Sequence, residues 1–161
     1  MSSRTLAKPQ AVETVPQALR LELTDAPDPA NAAPCVDWLE ETVVRIARAG
    51  GLVADEADFL GVAVREAVLN ALRHGRGPDG RCHIVVRLRN AFGRLLAVTV
   101  RDRGPGFNPA GVADPCLPEN MAKGSGRGIF YMRRFADRVS FGFPRSGGVV
   151  VRIGKRLPGS P

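Results

Sequence analysis

The period of the hydrophobic residues changes along this chain, and that change limits the available folds more than any single motif. Val36, Leu39, Val43, Ile46 and Ala47 recur at helical spacing, so a helix is expected to start at Pro34 and stop at Gly50-Gly51. A second helix is expected to be capped by Asp55, with Phe59, Leu60, Ala63, Ala67, Leu69 and Ala71 apolar and Gly75 ending it. Elsewhere the alternation is that of strands: Ala18–Leu23 ahead of the helices, Cys82–Leu88 and Leu95–Val100 after them, with a turn at Asn90–Gly93. Residues 103–125 are Gly/Pro-rich and exceed the ~12–15 residues that compact domains tolerate in a loop without a function. A helix near 126–136, a strand Arg138–Phe143, a hairpin Pro144–Gly148 and a strand Val149–Ile153 complete the chain. The order β-α-α-β-β-α-β-β predicts an α+β fold. It should be a two-layer sandwich of a mixed, mostly antiparallel sheet with helices on one face.

Composition enters as a set of exclusions. With 161 residues, 44% hydrophobic and 24% charged, the chain is a single globular domain rather than a disordered one. Residues 1–15 read as a flexible tail and 16–157 as the domain. Cys35, Cys82 and Cys116 have neither an even count nor metal-ligand spacing, which argues against a disulfide framework or a zinc site. The first residues lack the apolar segment of a signal peptide, and no stretch reaches the ~18 apolar residues of a membrane span. A cytoplasmic protein without membrane contact is expected. Charge is uneven: residues 1–80 carry 8 basic and 12 acidic side chains, residues 81–161 carry 15 and 4. Such asymmetry suits a surface that meets phosphates or an acidic partner, or a solvated basic face. Direct nucleic-acid binding is disfavoured, because aromatics are not interleaved with the basic residues and no helix-turn-helix is present.

Three short segments carry candidate chemistry. On the second helix Glu66, Asn70 and His74 stand at i, i+4 and i+8, along one polar stripe. A carboxylate and an amide one turn apart can place a proton acceptor beside an oxygen ligand for Mg²⁺; a solvated polar stripe reads the same way. Asp102-Arg103-Gly104-Pro105-Gly106 leaves a strand. Its acid can accept a hydrogen bond from an exocyclic amine such as that of adenine, and Gly104 and Gly106 let backbone approach a planar ligand. Lys123-Gly124-Ser125-Gly126-Arg127-Gly128 opens a helix. Backbone N–H groups there attract phosphate, and Arg127 adds a charged fork. This is neither a Walker A motif nor a Rossmann fingerprint.

In this order and spacing, E-A-x-x-N-A-x-x-H-G, D-x-G-x-G and G-x-G-x-G resemble the N, G1 and G2 boxes of the GHKL ATP-binding superfamily. The resemblance spans roughly residues 18–153 and implies the Bergerat ATP-binding fold. Glu66, the short lid Phe107–Lys123 and the run Gly128–Val139 are similar to the anti-sigma-factor serine-kinase branch. The domain is expected to stand alone, without a preceding helix pair bearing a phospho-acceptor His or a following transducer domain.

That resemblance implies ATP and Mg²⁺ as cofactors. Asp102 would select adenine, and Asn70 would ligate Mg²⁺. The backbone of Gly124, Ser125, Gly126 and Gly128, with Arg127, would cradle the phosphates. Glu66 would be the general base toward a Ser or Thr of an anti-anti-sigma (STAS-type) partner, while the protein also sequesters a sigma factor. His74 is either polar support near the nucleotide or only a helix end. A homodimer is expected, with the strand Ala18–Leu23 as the sheet edge. Two other classes stay open: a non-catalytic ATP-dependent partner switch, and a histidine-kinase-like catalytic domain acting in trans. Glu66 favours the serine kinase over the latter. Departures from the pattern are the basic, stiff turn made by Arg103 and Pro105, the lid prolines Pro109, Pro115 and Pro118, and the tail.

Overall fold

The computed structural model of the chain describes residues 18–24, 29–91, 94–108, 111–112 and 127–158. The elements follow the predicted order: β1 (Ala18–Thr24), α1 (Pro29–Ala49), α2 (Ala54–His74), β2 (His83–Ala91), β3 (Leu95–Arg101), α3 (Arg127–Phe135), β4 (Arg138–Gly142) and β5 (Val150–Arg156). The strands form one sheet in the order β1-β2-β3-β5-β4. All four of its pairings are antiparallel, so the sheet of the described residues contains no parallel pair. The expected tail lies outside the described residues, as does Cys116.

Alternation along the strands decides which face meets the helices. Leu23, Ile84, Val86, Leu88, Leu96, Val98, Val100, Val151 and Ile153 point inward and are buried. They pack against Leu39, Val43 and Ile46 of α1 and Leu60, Val64, Val68 and Leu72 of α2 in one core. Each such side chain contributes about 1.5–3 kcal/mol relative to exposure, which makes this layer the source of the fold's stability. Trp38 joins it, 5% exposed. Where α1 crosses α2, a Cβ at Gly61 would lie 2.7 Å from Val44 Cγ2, so only glycine allows this approach. Arg65 of α2 bridges to Asp37 and Glu40 of α1 at 2.5 and 2.7 Å, and these two carboxylates hold its guanidinium pKa above the ordinary value.

Several sequence expectations are corrected in detail. α1 starts at Pro29 rather than Pro34, which lies inside the helix. Pro29 supplies the helical φ, Ala30 to Ala33 is a segment of mostly high helix propensity, and Pro34 removes only one hydrogen bond near the helix start. The N-cap of α2 is Val53, in extended conformation and without a side-chain cap. Asp55 is therefore not the cap; with Glu56 it lies in the first turn, where a negative charge opposes the helix dipole. Phe59 is 46% exposed and stacks on Phe135 of α3 with centroids 4.3 Å apart, instead of entering the core. The β2–β3 turn falls later than expected, closed by Arg94 N–H on the Ala91 carbonyl (3.0 Å). Asn90 is thus a strand residue, 6% exposed, and its Oδ1 has no hydrogen-bond partner among the described residues. Cys35 and Cys82 are buried thiols, and burial pushes the Cys35 pKa up.

Asp137, between α3 and β4, ties the last helix to β5. Its Oδ2 accepts the Arg156 backbone N–H at 2.7 Å, its own N–H donates to the Gly154 carbonyl, and Lys155 Nζ lies 3.5 Å from Oδ1. The Arg156 N–H foremost, then the Lys155 charge, hold its carboxyl below the usual range. A depressed pKa contributes stability that is present above the unfolded-state value near pH ~4 and is lost as pH falls through the folded value. Asp137→Asn is expected to destabilise by on the order of 0.5 kcal/mol at neutral pH, solvent screening included, with the difference vanishing at strongly acid pH. Denaturant midpoints of both proteins across that pH range check this.

Candidate functional site

Asp102 follows β3 and is 7% exposed, so its carboxylate must be compensated by hydrogen bonds. Gly104 N–H donates to Oδ1 at 2.9 Å and Val149 N–H donates to the same oxygen at 3.0 Å. Two backbone bonds reinforce the joint: Asp102 N–H to the Val149 carbonyl, and Gly148 N–H to the Gly104 carbonyl. Oδ2 takes no hydrogen bond among the described residues and remains the oxygen that a ligand can use.

The glycines around it answer a packing demand. A Cβ at Gly148 would sit 2.1 Å from the Asp102 carbonyl oxygen, and its φ is +90°. A Cβ at Gly104 would meet the His74 carbonyl at 2.3 Å, and one at Gly75 would meet Asp102 Cβ at 2.5 Å. Gly104 therefore fits the turn against the end of α2. Of the two glycines expected beside a planar ligand, Gly106 (φ +83°) lines the cavity described next and Gly104 does not.

A cavity of about 570 Å³ opens between α2, the 102–107 turn, the start of α3 and the β4–β5 end of the sheet. Asn70, His74, Asp102, Gly106 and Gly128 supply its polar lining. Its walls are apolar, from Phe107, Ile129, Met132, Phe141, Val149 and Val151. Phe107 sits edge-on to Phe141 and Phe143, with centroids 5.5 and 6.0 Å apart, forming an aromatic rim. The sequence reading missed these wall residues; Phe107, directly after the Asp102–Gly106 turn, and the Gly147-Gly148 pair were the signals available.

The polar stripe of α2 meets α3 at Gly128. A Cβ there would be 2.9 Å from Glu66 Oε2 and 3.1 Å from Asn70 Nδ2, so the buried glycine lets the helix start against both side chains. The positive end of the α3 dipole is thereby set beside a carboxylate and an amide, with exposed Arg127 as the first helical residue. Glu66, Gly104 and Arg127 are not among the residues lining the cavity. His74, the exposed last residue of α2, lines it as well. Gly124, Ser125 and Gly126 lie outside the described residues, with the lid prolines. No cluster of three or more His, Cys, Asp or Glu that could hold a metal occurs among the described residues. No helix among them is long and apolar enough to cross a membrane.

Residues 26–155 match the family described as Histidine kinase-like ATPase domain, and the chain belongs to that family. The GHKL-type superfamily that the three boxes resemble is thereby borne out. Among solved structures, the chain is similar to the histidine kinase domain of the Erythrobacter litoralis EL346 blue-light activated histidine kinase. The identity is 23% and the TM-score 0.45, over 76% of this chain and 64% of that one. The chain thus spans somewhat less than two thirds of that domain's length. No curated protein matches it.

Gly148→Ala is expected to break the joint, because the added methyl meets backbone and the φ is left-handed. A loss of about 2 kcal/mol or more follows from the overlap and strain together. Gly147→Ala, with a left-handed φ but nothing within 4 Å, should lose only about 1 kcal/mol. Paired urea titrations separate the two values.

Proposed function

We propose that this protein is an ATP-binding regulator that phosphorylates a Ser or Thr of an anti-anti-sigma (STAS-type) partner and sequesters a sigma factor. One observation supports this reading above the others. Glu66 and Asn70 lie side by side against Gly128 at the start of α3, and Asn70, Gly128 and Asp102 line one cavity. The cavity's ~570 Å³ and its apolar walls suit an adenine nucleotide, within the usual range of small-molecule sites.

In this reading Asp102 Oδ2 accepts from the adenine amine, while Val149, Val151 and Met132 exclude water from the base. Gly128, Arg127 and the N–H groups at the start of α3 face the phosphates. Asn70 would offer an amide oxygen to Mg²⁺, which would supply neutralisation of phosphate charge. Glu66 takes the proton from the partner's hydroxyl as that oxygen bonds to the terminal phosphorus and ADP departs. Phosphoryl transfer is largely positioning and electrostatics, so one base and a cradle suffice. Pairing of two copies along the edge strand β1 completes the proposal.

The non-catalytic switch is the second reading, since Glu66 does not itself line the cavity. Asp102→Asn keeps the Oδ1 acceptor for both backbone N–H groups but turns the second oxygen into an N–H donor facing the adenine amine. ATP affinity should fall by about 1–3 kcal/mol with the fold retained; calorimetry showing unchanged affinity would sink the adenine assignment. Glu66→Gln should keep Mg-ATP binding and lose phosphoryl transfer, whereas Asn70→Ala should weaken Mg²⁺-dependent binding itself. Transfer of label from ATP to a STAS-type partner reads the difference. Normal transfer by Glu66→Gln would leave the switch reading in place of the kinase.

A further inference from the structure

The sheet has a second face, turned away from the helices. Register places Arg20, Arg87, Thr99, Arg152 and Ser140 in one row across all five strands. Neighbouring rows add Arg101, opposite Val85 and Val150, and Arg89 and Arg138, at the ends of a row with Ala97 and Gly154 between them. All six arginines are exposed. Glu22 is the one carboxylate projecting from these strand positions, and it is engaged by Arg20 at 2.8 Å and His83 at 3.2 Å. Arg101 donates to Ser146 Oγ. Arg87, Arg89, Arg138 and Arg152 have no carboxylate partner among the described residues.

This arrangement opposes stability. Arg20 and Arg87 are direct cross-strand partners, and like charges so placed are destabilising. A solvated sheet face has no need of them, since mixed charges or threonines would serve. The arginines also shape the surface. Val85 and Val150 lie on this outer face yet are 9% and 7% exposed, because arginine stems flank and cover them. The result is a concavity of about 460 Å³ with Val85 and Val150 in its floor and a rim to which Arg20, Arg87, Arg101, Arg103 and Arg152 contribute against one carboxylate, the 7% exposed Asp102.

We infer that this face is a docking surface for an acidic segment of a partner protein. Carboxylates of the segment engage the guanidinium groups in forked hydrogen bonds, and its small apolar side chains sit over Val85 and Val150. A protein segment suits the face better than nucleic acid. The strand positions named here carry no aromatic ring on which a base could stack, and a flat sheet face does not enter a groove. The inference is independent of the kinase reading: Asp102 borders both concavities, but Arg20, Arg87, Arg101 and Arg152 lie on the outer face of the sheet and do not line the nucleotide cavity.

The test uses fluorescence anisotropy with the full chain and a labelled peptide alternating Glu with Val. A single-stranded oligothymidylate of equal charge and phosphatidylserine vesicles are run beside it. The peptide should bind, more weakly as salt rises. The pair Arg87→Glu, Arg152→Glu should weaken it by about tenfold or more with ATP affinity unchanged. The neutral pair Arg87→Gln, Arg152→Gln relieves repulsion and so provides a folded variant with the same expected direction. Absence of peptide binding, or equal binding by either Arg87/Arg152 pair, overturns the inference, as does tighter binding of the oligonucleotide or the vesicles. Nucleotide affinity is read separately, so failure here and failure of the kinase reading are distinguishable.

Discussion

The site is organised by one buried carboxylate oxygen. Asp102 Oδ1 accepts N–H groups from Gly104 and Val149, residues far apart in sequence, and so clamps the turn after β3 to the start of β5. Hydrogen bonds to a charged group are worth about 1.5–3 kcal/mol each, enough to fix two loops that otherwise share only a few backbone contacts. The clamp works only because the chain can come close. Gly75, Gly104 and Gly148 each stand where a methyl group would overlap backbone or Asp102 itself. The same bonds use only Oδ1, so the interaction that builds the turn leaves the second oxygen of a cavity-lining carboxylate without a partner among the described residues.

Around this joint, α2 performs two tasks with one sequence. Its apolar face, Leu60, Val64, Val68 and Leu72, belongs to the core. Its polar stripe meets the first turn of α3 at Gly128. A shift of α2 by one residue would turn both faces at once, so core packing fixes the position of Glu66 and Asn70. α3 contributes little core of its own beyond Ile129 and Met132, and it is held by the stripe contact and by the Phe59–Phe135 stack. Asp137 then hands the chain back to the sheet.

The charge asymmetry along the chain becomes a division between layers. The acids of α1 and α2 largely satisfy arginines of the same layer, as in Arg65 with Asp37 and Glu40, and Arg48 with Asp58. The strands of the second half expose Arg87, Arg89, Arg138 and Arg152, which form no ion pair among the described residues. A folded domain with its two outer faces so differently charged has an intrinsic orientation toward charged partners.

Much of the fold was legible in sequence because it is local. A hydrophobic period is set by the backbone geometry of each element, so the eight elements and their order follow from residue spacing alone. The polar stripe Glu66-Asn70-His74 and the Asp102–Gly106 turn were legible for the same reason. Element ends were less so: Pro34 and Asp55 are strong local signals, yet the α1 start and the α2 cap were decided by backbone continuity and core packing. Tertiary structure alone decided that Gly104 serves packing and Gly106 the cavity, and that Val149 N–H completes the Asp102 clamp. It also decided that arginines from all five strands form one face. Such relations join residues distant in sequence through strand register and close backbone approach, which no local period encodes.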